Sequence, residues 1–242
     1  MRIASQLKYQ LHLWFRSSKW VSPLVFIVIF LYLMYSIAPL QVEGGYIVST
    51  TFLFLVMGWI GMMSVREEIS TTEYLLYLRN PSKRSYYLAK LVWTAVLALI
   101  VTMLCLVFPI IQNVLKGGKL FIRAVTCVDI LNAFLIMSGA AICGGSVGTF
   151  FHPCFVRDRR WSVLYTLAMN VLAIVKVSIV HQIPAMKYIL WVIPSATLSS
   201  ELYHEKNEFH LMTSLLILGI YLLYAVVLHL IKCHLCDCRR FQ

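Results

Sequence analysis

Acidic side chains are scarce in this chain, ten Asp and Glu among 242 residues, and charged residues of both signs make up only 13%. A soluble domain carries about 25%, so an ordinary water-soluble globule is excluded. Catalytic signatures are missing too. There is no HExxH, the helical pair of histidines that zinc peptidases use. The only Gly-Lys step is Gly118-Lys119, and a Walker-type phosphate loop would need glycine where Asn113 stands and Ser or Thr where Leu120 stands. ATP is therefore not bound through that loop. The seven histidines are scattered, and the densest group, His204, Glu205, Glu208 and His210, has the spacing of a hydrated helix rather than a metal site. The seven cysteines are an odd number with no pair in any expected outer loop, which argues against a disulfide framework.

What the chain has instead is long apolar runs. Sixty per cent of its residues are hydrophobic, and the mean hydropathy is +0.80. Val21–Leu40, Tyr46–Val65, Leu91–Leu115, Val125–Phe151, Trp161–Val180 and Leu211–Ile231 are nearly free of charge. Each is about the 20 residues a helix needs to cross about 30 Å of hydrocarbon. In lipid the backbone must satisfy its own hydrogen bonds, so such runs become helices. The expectation is an all-α integral membrane protein of six spans, a single transmembrane domain over residues 1–242.

Charge placement orients it. The net charge is +11, but the basic residues gather at span ends, which favours a membrane setting over nucleic acid. Fifteen Lys and Arg fall on the N-terminal segment, the second and fourth loops and the tail, against five on the first, third and fifth loops. The positive-inside rule then places both termini in the cytoplasm. The first apolar run starts after nineteen residues and is too long for a signal-peptide core, so it reads as a signal anchor.

Between the spans, residues 1–19 set Ile3, Leu7, Leu11, Trp14 and Phe15 on one helical face and Lys8, His12, Arg16 and Lys19 elsewhere. An interfacial amphipathic helix has that pattern; a plain basic leader is the alternative. Pro39 and the short link to Gly45 suggest a tight hairpin of spans one and two. The loop 66–87 is the most polar stretch. Glu67, Glu68 and Glu73 sit among good helix formers, followed by Leu75, Leu76 and Leu78, which predicts a short cytoplasmic helix that Asn80-Pro81 breaks, with Ser82 or Ser85 to cap the next. Pro109 predicts a kink in span three. Gly144 and Gly148 make a GxxxG pair suited to close helix packing, within one subunit or between two. In the outer loop 182–210, the apolar run between Pro184 and Pro194 is too short to span and suits a re-entrant or interfacial element.

Two groups could carry chemistry. Asp129 and Lys176 are the charges inside spans, and they could pair as an intramembrane ion pair or each snorkel outward. The tail 232–242 contains CHLCDC, so Cys233, His234, Cys236 and Cys238 offer soft ligands that Cys154 and His152 could complete. Structural zinc sites show two cleaner pairs, and plain thiols or acylation fit as well. The sequence therefore gives no catalytic residue and no expected metal or other cofactor on this chain.

The whole pattern resembles the permease subunit of bacterial type-2 ABC exporters. An N-terminal helix at residues 3–18 matches that family's elbow helix, and six spans with both ends inside match its topology. REEISTTEYLLYLRNPSKRSYYLAKL is similar to its acidic helix, leucine pair and Pro-Ser-basic turn, and Pro184–Ser200 matches its short re-entrant helices before the last span. The resemblance implies that the chain lines an export path and is not itself an enzyme. ATP and Mg would sit on a separate ABC ATPase subunit docked at a coupling helix over Glu67–Leu78, with Glu67, Glu68, Glu73, Tyr74, Leu75, Leu76 and Arg79 as its contact residues. A second permease subunit, the same chain or another, and membrane lipid are the remaining implied partners. Without the resemblance, a membrane enzyme, an ATP-independent transporter or an immunity protein stays open.

Overall fold

The computed structural model describes residues 3–66, 76, 83–154, 156, 158–203 and 209–240. Among these there is no strand, only an isolated parallel bridge between Leu40 and Phe121. The helices are α1 (Ile3–Arg16), α2 (Val21–Met34), α3 (Val42–Val65), α4 (Lys83–Leu115), α5 (Cys127–Phe150), α6 (Arg159–Gln182), α7 (Lys187–Leu190, preceded by a 3-10 turn at Pro184–Met186), α8 (Leu198–Tyr203) and α9 (Leu211–Arg240). Five of them are long and apolar enough to cross a membrane, six if the bent pair α1–α2 counts as one span. The protein has the make-up of a multi-pass membrane protein.

Helix α5 is the central post, packed against α3, α9 and α4. Its small residues explain why. A Cβ at Gly144 would run into the Phe54 carbonyl, one at Gly148 into the Gly58 carbonyl, and one at Gly61 of α3 into the Gly145 carbonyl. The backbones of α3 and α5 touch because glycine leaves room, as in other small-residue membrane interfaces. The GxxxG pair is thus used inside the chain. Around this post, Leu53, Phe54, Met57, Ile136, Met137, Ile217 and Tyr221 are fully buried. The outward faces of α2, α6 and α9 are apolar instead: Phe26, Ile29, Leu33, Leu164, Leu167, Val171, Leu216, Leu223 and Leu230 are all exposed. A water-soluble surface does not carry contiguous apolar area on that scale, whereas lipid accepts it.

The bundle has a near end, where α1 and the last turns of α9 lie, and a far end. At the near end α1 turns from α2 by 75°, through Ser18 at a φ of +56°, and packs on α4. Along α1, Gln6, Gln10 and Trp14 are buried, while Leu11 and Phe15 of the apolar face are exposed and line a pocket with Trp14 and residues of α3 and α4.

At the far end α2 stops at Met34, six residues before the expected Leu40, and the link to α3 runs from Tyr35 to Gln41. Tyr35 is buried and its hydroxyl shares a hydrogen bond with Ser49 (3.0 Å). Leu40 then pairs its backbone with the 120–122 segment, donating to Leu120 (2.9 Å) and accepting from Ile122 (3.0 Å). Helix α4 runs on through Pro109 and ends in a glycine stop. Gly117 and Gly118 have φ of +63° and +79°, and Gly118 N–H donates to the Asn113 carbonyl five residues back (2.8 Å), a Schellman-type C-cap. This places Gly118-Lys119 in a helix stop rather than a phosphate cradle.

Candidate functional site

Two polar regions interrupt the apolar bundle, one at each end. At the far end the chain after α6 folds back into the bundle. Ala196 N–H donates to the Ala173 carbonyl (2.9 Å), and the Ala196 carbonyl accepts from Tyr221 (3.3 Å) and Thr51 (3.4 Å). Ala173, Thr51 and Tyr221 each sit nine or ten residues in from the far ends of α6, α3 and α9. At 1.5 Å per residue that is a depth of about 13–15 Å. Residues 193–196 thus carry irregular backbone to roughly the middle of a bilayer-sized bundle. Such backbone survives there only when protein groups satisfy it or it lines a hydrated cavity, and here protein groups satisfy it. Lys176 donates to the Ile193 carbonyl (2.7 Å) and Tyr224 to the Trp191 carbonyl (2.6 Å). Lys176, His181, Lys187, Ser195 and Glu201 line an open pocket beside it, with Ser195 donating to Glu201 (2.9 Å). In contrast, Tyr188, Ile189, Trp191 and Val192 are largely exposed, an aromatic-apolar tip suited to the membrane interface.

Close by, Arg123 is the hub of an ionic cluster. It donates to both oxygens of Asp129 (2.7 and 2.8 Å) and also reaches Glu43. The bonds to Asp129 and then to Glu43 hold its guanidinium above its ordinary pKa. Asp129 also closes a capping box with Thr126: the Thr126 N–H and hydroxyl donate to it, and its own N–H donates back to the Thr126 hydroxyl. Asp129 and Lys176 therefore do not form the intramembrane ion pair considered above. Each has a nearer partner, and no ion pair joins them.

The near end has a second polar pocket, where Gln10, Lys90, Thr94, Thr149, His152 and Lys232 converge from α1, α4, α5, the α5–α6 turn and α9. Arg66, closing α3, donates to the carbonyls of Val156 (3.0 Å) and Asp158 (3.4 Å) and so ties the α3 terminus to that turn. Burial and then nearby Arg159 pull its pKa below the ordinary value. Of the coupling-helix residues, Glu67, Glu68, Glu73, Tyr74, Leu75 and Arg79 lie outside the described residues. Leu76 is described as helical and half-buried, packed against Tyr86, Tyr87 and Cys236.

Sequence reasoning missed one grouping. The Thr126-x-x-Asp129 signature was legible as a capping box, but Arg123 and Glu43 lie 80 positions apart and carry no local signal. Of the soft ligands weighed in the sequence, the structure brings together His152, Cys154 and Cys236, whose ligand atoms all lie within 4.8 Å of one another. These three could hold a metal ion. The comparisons with known proteins add nothing to this geometry: no family model, no curated protein and no solved structure matches the chain.

Proposed function

We propose that the chain is the membrane-spanning subunit of an ATP-driven ABC exporter, worked by a separate ATPase docked at its cytoplasmic near end. The observation that carries this reading is the amphipathic α1 turned 75° from α2 and packed across the start of a bundle with spans enough for one permease. Three further features support it. The acidic 66–82 segment leads from α3 to α4, and its Leu76 packs against the beginning of α4 and the last helix, so a push there would reach both. The backbone between α6 and α9 folds back to mid-depth beside a charged pocket, as a gate on a path would. The basic residues crowd the near end, which supports a cytoplasmic side for that end in the cell membrane. The exposed apolar faces of α2 and α6 leave room for a second permease subunit.

In this mechanism the chain contributes no catalytic group. ATP and Mg bind to the ATPase pair, whose closure pushes the coupling segment. The bundle then tilts about the rigid α3–α5 contact, and access switches from one end to the other. The test is co-purification. A tagged chain extracted from its own membrane should bring down an ABC-type ATPase, identified by mass spectrometry. Glu73→Arg with Leu76→Asp should remove that ATPase without lowering expression. An ATPase that stays bound to the double variant overturns the coupling assignment, and no ATPase on the wild type overturns the function.

A further inference from the structure

We propose that His152, Cys154 and Cys236, with Cys233 as fourth ligand, bind one zinc ion that clips the last helix to the α5–α6 turn. The sequence argued against a metal because its Cys and His do not fall into two clean pairs. The fold supplies the second pair from a distance. His152 and Cys154 lie in the turn after α5, Cys236 lies near the end of α9, and their ligand atoms come within 4.8 Å of one another. Ligands of a tetrahedral zinc bound at about 2.0–2.3 Å are themselves about 3.5–3.8 Å apart, so small side-chain rotations close the site. Cys233 is three residues before Cys236, on the same helix face, and packs with Cys154 against the same cluster.

The surroundings suit the ion. His152 and Cys236 are buried, 5% and 1% exposed, so a bound ion would be shielded from competing water. Three thiolates, one imidazole and Zn²⁺ leave a net charge of −1, and buried Lys232 lines the same pocket as His152 and Cys236 with the opposite charge. Soft sulfur donors with one imidazole select zinc over the hard cations. Loading would rearrange the bond between His152 and the Cys154 backbone. His152 Nδ1 accepts from the Cys154 N–H (3.2 Å). A metal on Nδ1 replaces that bond, and a metal on Nε2 moves the ring proton to Nδ1 and ends it.

The clip is independent of the permease reading and would stand in any membrane protein of this fold. Its test uses the full chain purified in detergent under reducing conditions, with zinc measured by elemental analysis and cobalt(II) as a spectroscopic probe. About one zinc per chain is expected. Cobalt loading should give the sulfur-to-metal charge-transfer and strong visible bands of a tetrahedral thiolate site. Cys154→Ser, Cys236→Ser and Cys233→Ser should each lose the zinc. Cys127→Ser, an exposed cysteine at the far end, should keep it. Chelation should lower the melting temperature of the wild type and leave that of Cys236→Ser unchanged. The cobalt titration of the wild type decides the matter even if a variant fails to fold. No zinc and no tetrahedral cobalt spectrum overturn the proposal. So does zinc retained by both Cys154→Ser and Cys236→Ser, or a Cys154–Cys236 disulfide found by alkylation mapping of protein taken directly from cells.

Discussion

Arg123 shows how much one side chain can hold. Its partners come from different helices, Glu43 from the first turn of α3 and Asp129 from the first turn of α5, and both carboxylates are buried. Removing the cation leaves two like charges facing each other in a poorly solvated corner. Arg123→Gln should cost about 2–3 kcal/mol, less than the roughly 3–5 of a fully buried pair, because the Arg123 side chain is 36% exposed. Arg123→Lys should recover only part of it, since one ammonium cannot grip Asp129 with two parallel bonds. Melting curves in detergent read the order: wild type, then Lys, then Gln. A Gln variant as stable as wild type would remove the cluster's structural role. At this scale the sequence was half-legible. Asp129 was marked as a charge inside a span, and its nearest partner, Thr126, stood three residues away in a recognisable cap. Its cation was not, because that pairing exists only once the turn after α4 folds over the start of α3.

Helices were the most legible level. Length and hydropathy alone gave α3, α5 and α6 nearly where they stand, because an apolar run in lipid has one way to satisfy its backbone. Helix α9 starts at the expected Leu211 but runs nine residues past Ile231, and α4 starts at Lys83 rather than Leu91, since a helix continues through polar residues beyond the apolar run. The early end of α2 at Met34 arises where tertiary bonds compete with the helix: Tyr35 turns inward to Ser49 and Leu40 pairs with the 120–122 segment. The hydrophobic spacing of α1 did not reveal that Gln6 and Gln10 would be buried along with Trp14. Glycines test the packing of these elements. Gly148→Ala drives a Cβ into the Gly58 backbone, whereas Gly219 has nothing within 4 Å of its Cβ position. Gly148→Ala should lower the melting temperature sharply and Gly219→Ala should leave it unchanged or slightly raised. Equal effects would contradict the α3–α5 contact. The fold-back before α9 has its own test. Lys176→Met leaves the Ile193 carbonyl without its ammonium donor at depth, so proteolysis of the 183–193 segment should quicken several-fold. An unchanged rate would show that Lys176 does not anchor it.

For the molecule as a whole, the apolar spans were visible in the sequence because every residue in them faces the same solvent requirement. The convergence of its polar groups was not. The near-end pocket draws side chains from five separate stretches, and the far-end pocket joins Lys176 to Ser195 and Glu201 across the fold-back. The proposed function draws on that asymmetry: an apolar frame with a rigid spine, a polar fold-back at one end and a second polar pocket at the other. The most direct test of the account places a photo-crosslinking amino acid at Tyr74 in living cells, with Tyr188 at the far end as the comparison. The account predicts an adduct between position 74 and a soluble ABC-type ATPase, and none with that ATPase from position 188. An adduct from position 188 with the ATPase, or none from position 74, would contradict it.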